Sequence, residues 1–103
     1  MAEPRRYKLQ AKLVEVLGSK YVYFQPPPTL RMNYPCIVYS LDKYQVKSAN
    51  NSLYFHKTRY QVTVIDRNPD SEIPMRVEQL PHTGLSRTYT ADDLHHFVFT
   101  TYI

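Results

Sequence analysis

Apolar residues near the amino terminus recur at the spacing of an α-helix. The residues that share one side of the helical repeat are Leu9, Leu13, Val16 and Leu17. Pro4 suits a first helical position, and Gly18 follows the last apolar residue, where glycine commonly ends a helix. The pattern predicts a helix over about residues 4–17, with a mostly basic outer side.

Beyond this helix the apolar residues follow the two-residue repeat of β-strands. The clearest case is the run in which Tyr60, Val62 and Val64 share one face and polar residues occupy most of the other. A short apolar run at residues 21–24 precedes three consecutive prolines, which have no N–H to continue a ladder. Residues 25–35 are therefore expected to form an extended, Pro-rich loop. The strands predicted after it cover about residues 36–41, 52–66 and 94–103.

Two further segments complete the predicted order. The apolar residues that fit a short helix over about residues 70–80 are Ile73, Val77 and Leu80. Its cap is expected to be Asp70 or Ser71, and residues 42–51 are expected to form a long loop that includes a turn over 48–51. The order of helix, strands, helix and strands lacks regular βαβ alternation. The sequence therefore predicts a single α+β domain, with an antiparallel β-sheet flanked by an N-terminal helix and a second short helix.

Length and composition exclude several classes of protein. The 103 residues fit one domain. Gly18 and Gly84 are the only glycines, so no Gly-rich loop can cradle a nucleotide phosphate. A single cysteine, Cys36, rules out an internal disulfide. No apolar run approaches the ~20 residues that cross a bilayer, and the charged start lacks a signal-peptide pattern. These features predict a small intracellular domain that does not contact membranes.

The residue types that perform catalysis or bind metals do not form a recognisable active site. His95 and His96 are adjacent on a predicted strand, so they point to opposite faces and cannot chelate one ion together. His56 lacks a cysteine or carboxylate at a zinc spacing. Cys36 lies in an apolar run where a buried thiol is inert, and the pair Asp92–Asp93 fits a turn better than an acid–base site. The chain is not expected to be an enzyme, and it is not expected to bind a metal or a cofactor.

The formal net charge of +4 is divided unevenly along the chain. Residues 1–60 hold ten Lys/Arg and three Asp/Glu, a balance of +7, whereas residues 61–103 hold three Arg and six Asp/Glu, a balance of −3. A nucleic-acid-binding domain usually gathers positive charge without a matching acidic region. Basic and acidic segments on one small chain also suit head-to-tail self-association. An equally open alternative is that both charged segments are simply solvated surface.

Three stretches, taken together, carry a resemblance to a known family. They are residues 34–39 with the sequence YPCIVY, residues 59–74 with the sequence RYQVTVIDRNPDSEIP, and residues 89–102 with the sequence YTADDLHHFVFTTY. In this order, behind an N-terminal helix and the strand end VYFQPP, they resemble the tail-completion (tail-terminator) proteins of long-tailed bacteriophages. The resemblance is to the versions carried by phages and prophages of Gram-positive bacteria, and it covers about residues 5–102.

The resemblance implies a β-sheet flanked by helices and a structural function. Subunits of this family form a ring, usually a hexamer, that caps the tail tube and joins it to the head connector. The implied partners are other copies of this chain, the tail tube protein and a head–tail connector or head-closure protein. The family has no catalytic residues. The implied location is the neck or tail of the virion, with the host cytoplasm as the place of assembly.

A closed ring needs contacts between unlike surfaces, and the charged residues are the candidates to supply them. The basic subunit-interface candidates on the predicted first helix are Arg5, Arg6, Lys8 and Lys12. The acidic candidates in predicted turns are Asp66, Asp70, Glu72, Asp92 and Asp93. The stiff loop containing Pro26, Pro27 and Pro28 is a candidate contact with a neighbouring ring. Lys43 and Lys47, in the predicted loop 42–51, are candidates to face the lumen through which DNA passes.

Two alternative functions stay open at this point. A head-closure protein or another head–tail connector of the neck is similarly small. A small basic single-stranded nucleic-acid-binding β domain would combine tyrosine and phenylalanine stacking with the basic half of the chain. This second alternative predicts oligonucleotide binding that weakens steeply as the salt concentration rises.

Overall fold

The computed structural model of this protein describes the backbone of residues 5–49 and 52–102, and the side chains of residues 6–42 and 58–102. Its elements in chain order are α1 (Arg5–Leu17), β1 (Val22–Phe24), β2 (Cys36–Ala49), β3 (Ser52–Asp66), α2 (Ile73–Glu78), β4 (Thr83–Ala91) and β5 (Leu94–Tyr102). The strands form one sheet and both helices pack against it, which confirms the predicted α+β class. Pro4 and Ile103, which the predicted first helix and last strand include, lie outside the described residues.

The five-stranded sheet has the strand order β1-β2-β3-β5-β4. The pairs β2–β3, β3–β5 and β4–β5 are antiparallel, as predicted, whereas β1 runs parallel to β2. A parallel neighbour needs a connection long enough to carry the chain back along the sheet. The loop over residues 25–35, which is irregular as predicted, supplies that connection. The sheet is therefore mixed at this edge rather than antiparallel throughout.

One face of the sheet is buried by both helices. The helical residues of this core are Leu9, Leu13, Leu17, Ile73 and Val77, and the principal sheet residues are Ile37, Tyr39, Tyr60, Val62, Val64 and Phe99. The three leucines are four residues apart, which places them on one stripe of α1. Alternation along β3 places its buried residues on one face of the sheet. The removal of this apolar layer from water is the main contribution to folding.

No helix covers the opposite face of the sheet in the part of the chain that the structure describes. This face is named the open face. The register aligns Val38 of β2, Thr63 of β3 and Val98 of β5 across it. The half-buried residues beside them are Ser40, Gln61 and Thr100. The centre of the open face is therefore uncharged, and it combines buried or half-buried valines with half-buried polar side chains.

β2 and β3 continue beyond the strands that flank them. β5 pairs with β3 only from Asp66 to Arg59, and β1 pairs with β2 only at residues 37–39. Among the described residues, 43–49 of β2 and 52–58 of β3 have no third strand beside them, and residues 44–49 pair with residues 52–58. These two segments are named the ribbon.

The ribbon corrects the predicted loop over residues 42–51. Ser48 and Ala49 belong to β2 rather than to a turn, and Asn50 and Asn51 lie outside the described residues. The segment is mostly polar, so its own hydrophobic pattern is too weak to indicate a strand. Pairing with β3 decides its conformation, because strand formation depends on cross-strand neighbours more than on intrinsic preference.

The short helix is also smaller than predicted. α2 spans Ile73–Glu78 rather than 70–80, and its N-cap residue is Glu72, which makes no side-chain capping hydrogen bond. The predicted caps Asp70 and Ser71 therefore lie before the helix. Ser71 still supports the helix start, because its hydroxyl accepts a hydrogen bond from the Ile73 N–H at 3.3 Å.

The turn between β4 and β5 has the geometry of a two-residue hairpin connection. Asp92 and Asp93 have φ values of 51° and 61°. Left-handed conformations at both central positions match the twist of the flanking strands, and aspartate tolerates them better than most residues. The predicted turn at these two residues is confirmed, and it exposes both carboxylates.

The burial of α1 predicts how two neighbouring residues respond to truncation. Leu13 is fully buried, whereas Lys12 is exposed. We expect Leu13→Ala to lower the free energy of unfolding by about 2–5 kcal/mol, because it leaves a cavity between α1 and the sheet. The matched variant Lys12→Ala should leave it nearly unchanged. Urea denaturation followed by circular dichroism measures both variants, and equal effects would contradict this orientation of α1.

Candidate functional site

One end of the sheet collects acidic candidates that are far apart in the sequence. β3 ends at Asp66, which is in register with His95 near the start of β5. Because β3 and β5 are antiparallel, this register brings Asp66 to the same end of the sheet as the Asp92–Asp93 turn. Asp66 is half-buried, and both turn residues are exposed. The strand pairing therefore joins two acidic segments that the sequence separates.

The loop after β3 adds two more carboxylates to this end. Asp66 Oδ1 accepts a hydrogen bond from the Asn68 N–H, and Asn68 Oδ1 accepts one from the Asp70 N–H, each at 3.0 Å. Turns of this kind change the chain direction directly after β3, and Asp70 and Glu72 are exposed in the segment that follows. The set Asp66, Asp70, Glu72, Asp92 and Asp93 is named the acidic end.

Two arginines reduce the charge of the acidic end without cancelling it. Arg76 Nη2 lies 3.5 Å from Glu72 Oε2, in an exposed pair one helical turn apart. Pairs of this kind contribute little free energy because water screens them. The guanidinium carbon of Arg67 lies 5.5 Å from the centroid of the Tyr34 ring. The carboxylates of the acidic end outnumber these two cations, so its local charge is negative.

The basic candidates on α1 fall into two groups. Lys8 and Lys12 are exposed, as the helical pattern predicts. Arg6 instead turns toward the sheet, with its guanidinium carbon 4.4 Å from the centroid of the Phe24 ring. A cation–π contact of this kind holds the charge against its own chain. The side chain of Arg5 lies outside the described part of the molecule.

Hydrogen bonds also hold Arg6 in this position. Its Nη1 donates to the Tyr39 hydroxyl at 3.3 Å, and that hydroxyl donates to Gln10 Oε1. Tyr39 is fully buried, so its hydroxyl needs such partners. The hydrogen bond to Tyr39 raises the pKa of Arg6 above its ordinary value. Of the α1 candidates whose side chains are described, Lys8 and Lys12 are therefore the exposed ones.

The Pro-rich loop is fixed where it leaves the sheet and exposed further along. The exposure of its prolines differs: Pro26 is half-buried, whereas Pro27 and Pro28 are exposed. The Gln25 N–H donates to the Tyr39 carbonyl at 2.9 Å, and Gln25 Oε1 accepts from the Leu41 N–H at 3.0 Å. The loop is therefore anchored to β2 and presents its second and third prolines to solvent, as a contact with another molecule requires.

The ribbon carries the remaining basic candidates, Lys43 and Lys47, to the other end of the molecule. It also contains Lys57 and no acidic residue. β3 is 15 residues long, so at about 3.3 Å per residue its two ends lie roughly 46 Å apart. The longest dimension of the molecule is 50 Å. The basic ribbon and the acidic end therefore occupy opposite ends of the long axis.

An ion pair that the sequence analysis did not single out lies at the base of the ribbon. Arg59 Nε lies 2.8 Å from Asp42 Oδ2. The pKa of Arg59 is raised by a hydrogen bond with Tyr102 and by the charge of Asp42. Arg59 and Tyr102 line an open depression of about 640 Å³ together with residues 82–86. Because Asp42 already balances the charge of Arg59, the depression is weakly suited to an anion.

A second cluster outside the sequence-predicted candidates lies on the open face. The rings of Tyr89 and His96 stack with centroids 4.5 Å apart and an interplanar angle of 10°. The guanidinium carbon of Arg87 lies 5.3 Å from the centroid of the Tyr89 ring. The two stacked residues are cross-strand partners, so the register of β4 on β5 creates the cluster. Only a prediction of that register could have revealed it.

The histidines at the start of β5 have separate surroundings. His95 Nδ1 shares a hydrogen bond with the Thr90 hydroxyl at 3.3 Å, whereas His96 stacks on Tyr89. Alternation along the strand places them on opposite faces, as predicted. In the described residues, no group of His, Cys, Asp and Glu side chains is arranged to hold a metal ion.

Cys36 is fully buried at the start of β2, as its apolar setting predicts. Burial, with the nearby negative charge of Asp66 as a second cause, raises the pKa of the Cys36 thiol to about 12. A thiol with this pKa stays protonated at neutral pH, and the thiolate is the form that acts as a nucleophile. The environment of Cys36 is that of a structural residue.

Comparisons with known proteins assign no family to this chain. No protein-family model matches it, and no curated protein matches it. In the described ranges, neither helix has the length and apolar composition needed to cross a membrane.

The raised pKa of Cys36 predicts slow alkylation of the folded protein. At pH 8 a thiol with a pKa of about 12 is about 0.01% thiolate, whereas a thiol at the ordinary value of 9.0 is about 9% thiolate. We expect iodoacetamide to modify Cys36 at least about a hundredfold more slowly in the folded protein than in urea-unfolded chains. Mass spectrometry of the alkylated protein measures both rates, and similar rates would contradict the burial of Cys36.

The same pKa difference predicts a pH dependence of stability. The pKa of Cys36 is higher in the folded state than its ordinary value, so the stabilisation is fully present below about pH 9 and is lost as the pH rises toward 12. A Cys36→Ala variant lacks this titrating group. Its free energy of unfolding should therefore decline less steeply above pH 9 than that of the unaltered protein, as urea titrations at several pH values would measure.

Proposed function

We propose that this protein is a structural subunit of a bacteriophage neck or tail, whose copies form a ring, most simply a hexamer, that terminates the tail tube. The assignment to a phage neck or tail rests on the resemblance of residues 5–102 to tail-completion proteins. The observation that supports self-association is the separation of charge along the long axis. The basic ribbon lies at one end of β2 and β3, and the acidic end lies at the other.

The charge separation supports assembly because each copy carries two unlike, complementary surfaces. A closed ring is built from heterologous contacts, in which one surface of a subunit meets a different surface of its neighbour. Opposite charges on two such surfaces speed their encounter and disfavour contacts between like ends. The exposed Lys8 and Lys12 and the anchored Pro-rich loop lie outside both charged ends, so they are available for contacts with other components.

The proposed ring lies in the neck or tail of the virion after assembly in the host cytoplasm. Its partners in this proposal are the tail tube protein on one side and a head–tail connector or head-closure protein on the other. DNA passes through the lumen without sequence-specific binding, and the ring needs no enzymatic activity and no cofactor. A head-closure or other connector protein is the alternative role within the same neck, because it would also use a ring.

A single-stranded nucleic-acid-binding domain is the second candidate, and the cluster of Arg87, Tyr89 and His96 is the observation that favours it. Tyr89 is 43% exposed and its ring is held flat by stacking on His96. An exposed aromatic ring beside an arginine is a platform on which a base can stack. The carboxylates of the Asp92–Asp93 turn, in the same hairpin, oppose the approach of a phosphate backbone, so this function ranks second.

The ring proposal predicts the mass of the assembled protein. Six copies of the 12.2 kDa chain give about 73 kDa. We expect native mass spectrometry across a wide concentration range to show this species, and we expect high salt to weaken it because the contacts are electrostatic. Urea-unfolded protein, diluted into the same buffer and refolded, is the control for reversible assembly.

One combination of results would favour the second candidate function over the ring. A monomer at every concentration, combined with oligonucleotide binding that falls steeply with salt, would contradict the ring and favour the nucleic-acid-binding function. Tyr89→Ala should then lower oligonucleotide affinity, because each stacked base contributes about 1–3 kcal/mol. If the protein is a ring subunit, Tyr89→Ala should leave the assembled mass unchanged.

A further inference from the structure

We propose that the ribbon of one copy docks against the acidic end of the next copy, and that this contact joins the subunits. The inference deepens the proposed function, since it rests on self-association and names the two surfaces that meet. It assigns the main basic surface to the ribbon rather than to α1. It also places Lys43 and Lys47 against a neighbouring subunit instead of in the lumen.

The first step is that the ribbon lacks a third strand. Residues 43–49 and 52–58 form a two-stranded antiparallel pair, and in the described structure β1 and β5 end before reaching it. A two-stranded hairpin is marginally stable in water unless it packs against something else. Along both of its edges no other strand of the described residues is paired, and an open strand edge invites a partner. Contact with another molecule would therefore stabilise the ribbon more than the rest of the sheet, which already has neighbouring strands.

The second step is the charge of the ribbon. Its charged residues are Lys43, Lys47 and Lys57, with no aspartate or glutamate among residues 43–49 and 52–58. The register pairs Lys43 with Arg59 and Gln45 with Lys57. A surface with this charge favours an acidic partner.

The third step is that the acidic partner must come from another copy. The acidic end lies roughly 46 Å from the far end of the ribbon, as the length of β3 requires. Charges in physiological salt are screened over about 8 Å, so the two ends of one chain do not attract each other. Asp70, Glu72, Asp92 and Asp93 are all exposed, and the exposed pair of Glu72 with Arg76 is a weak one that a cation from outside can replace. A second copy of this chain offers that cation in its ribbon.

Charge reversal on each surface, followed by mixing, tests this contact. The ribbon variant is Lys47→Glu with Lys57→Glu, and the end variant is Asp70→Lys with Glu72→Lys. The matched control is Lys8→Glu with Lys12→Glu, which makes the same change of charge on the exposed side of α1. Circular dichroism and urea unfolding establish that each variant keeps the fold. Native mass spectrometry and sedimentation then report assembly.

The ribbon variant and the end variant should each associate at least about tenfold more weakly than the unaltered protein, because like charges then meet at every contact. The control should assemble like the unaltered protein. An equimolar mixture of the two variants should regain assembly, with the two chains in equal numbers. Each acidic ribbon then meets a basic end, and each basic ribbon meets an acidic end.

A second ribbon variant serves if the glutamates disturb folding. Lys47→Gln with Lys57→Gln removes the positive charges without introducing negative ones. It should weaken association and reduce its dependence on salt, since fewer charge pairs are left to screen. Association with the original salt dependence would count against the ribbon contact.

The outcomes separate this inference from the ring itself. A ribbon variant that assembles as the unaltered protein does would overturn the ribbon contact and leave the ring standing. An assembly of two copies, about 24 kDa, that the ribbon variant loses would support the contact and overturn the ring. An unaltered protein that is monomeric at every concentration would overturn both.

Discussion

The antiparallel pairing of β2 with β3 organises the other contacts of the described structure, because it decides which residues face the helices. Its register aligns Ile37 with Val64 and Tyr39 with Val62, and these residues are fully buried in the core. A shift of one residue would turn the apolar set toward the open face and bring polar neighbours under α1. The ribbon begins where β5 ends, opposite Arg59. The core and the proposed interface thus depend on the same strand pairing.

Local patterns predicted the elements whose residues repeat regularly, such as the leucine spacing of α1 and the alternation around Val62. The strand conformation of residues 42–49 was not predictable in this way, because it depends on the pairing of this segment with β3. The orientation of β1 depends on the path of the loop that follows it, and three strand residues do not specify that path. Sequence patterns fail here because strand pairing, rather than the hydrophobic pattern of the segment itself, determines the conformation.

The candidate site has the same limit: its residue types can be identified in the sequence, but their spatial arrangement cannot. The sequence identifies the charged residues, but it does not show which of them meet. Asp66 and the Asp92–Asp93 turn share one end only through the register of β3 with β5. Arg6 carries the same charge as Lys8, yet a hydrogen bond to Tyr39 holds it against the sheet. That partner comes from a strand far along the chain, so no local pattern distinguishes the two basic residues.

Separation of charge along one axis permits either an antiparallel pair or a head-to-tail assembly, and the remaining surfaces favour the head-to-tail assembly. An antiparallel pair of copies would satisfy both charged ends at once and stop at two subunits. Such a pair would meet along the helical side, where Lys8 and Lys12 of the two copies repel, or along the open face. The open face presents polar side chains such as Gln61, while Val38 is half-buried and Val98 is buried, so little apolar area is exposed there to hold a dimer. A ring needs only the two ends, and so it avoids both unfavourable surfaces.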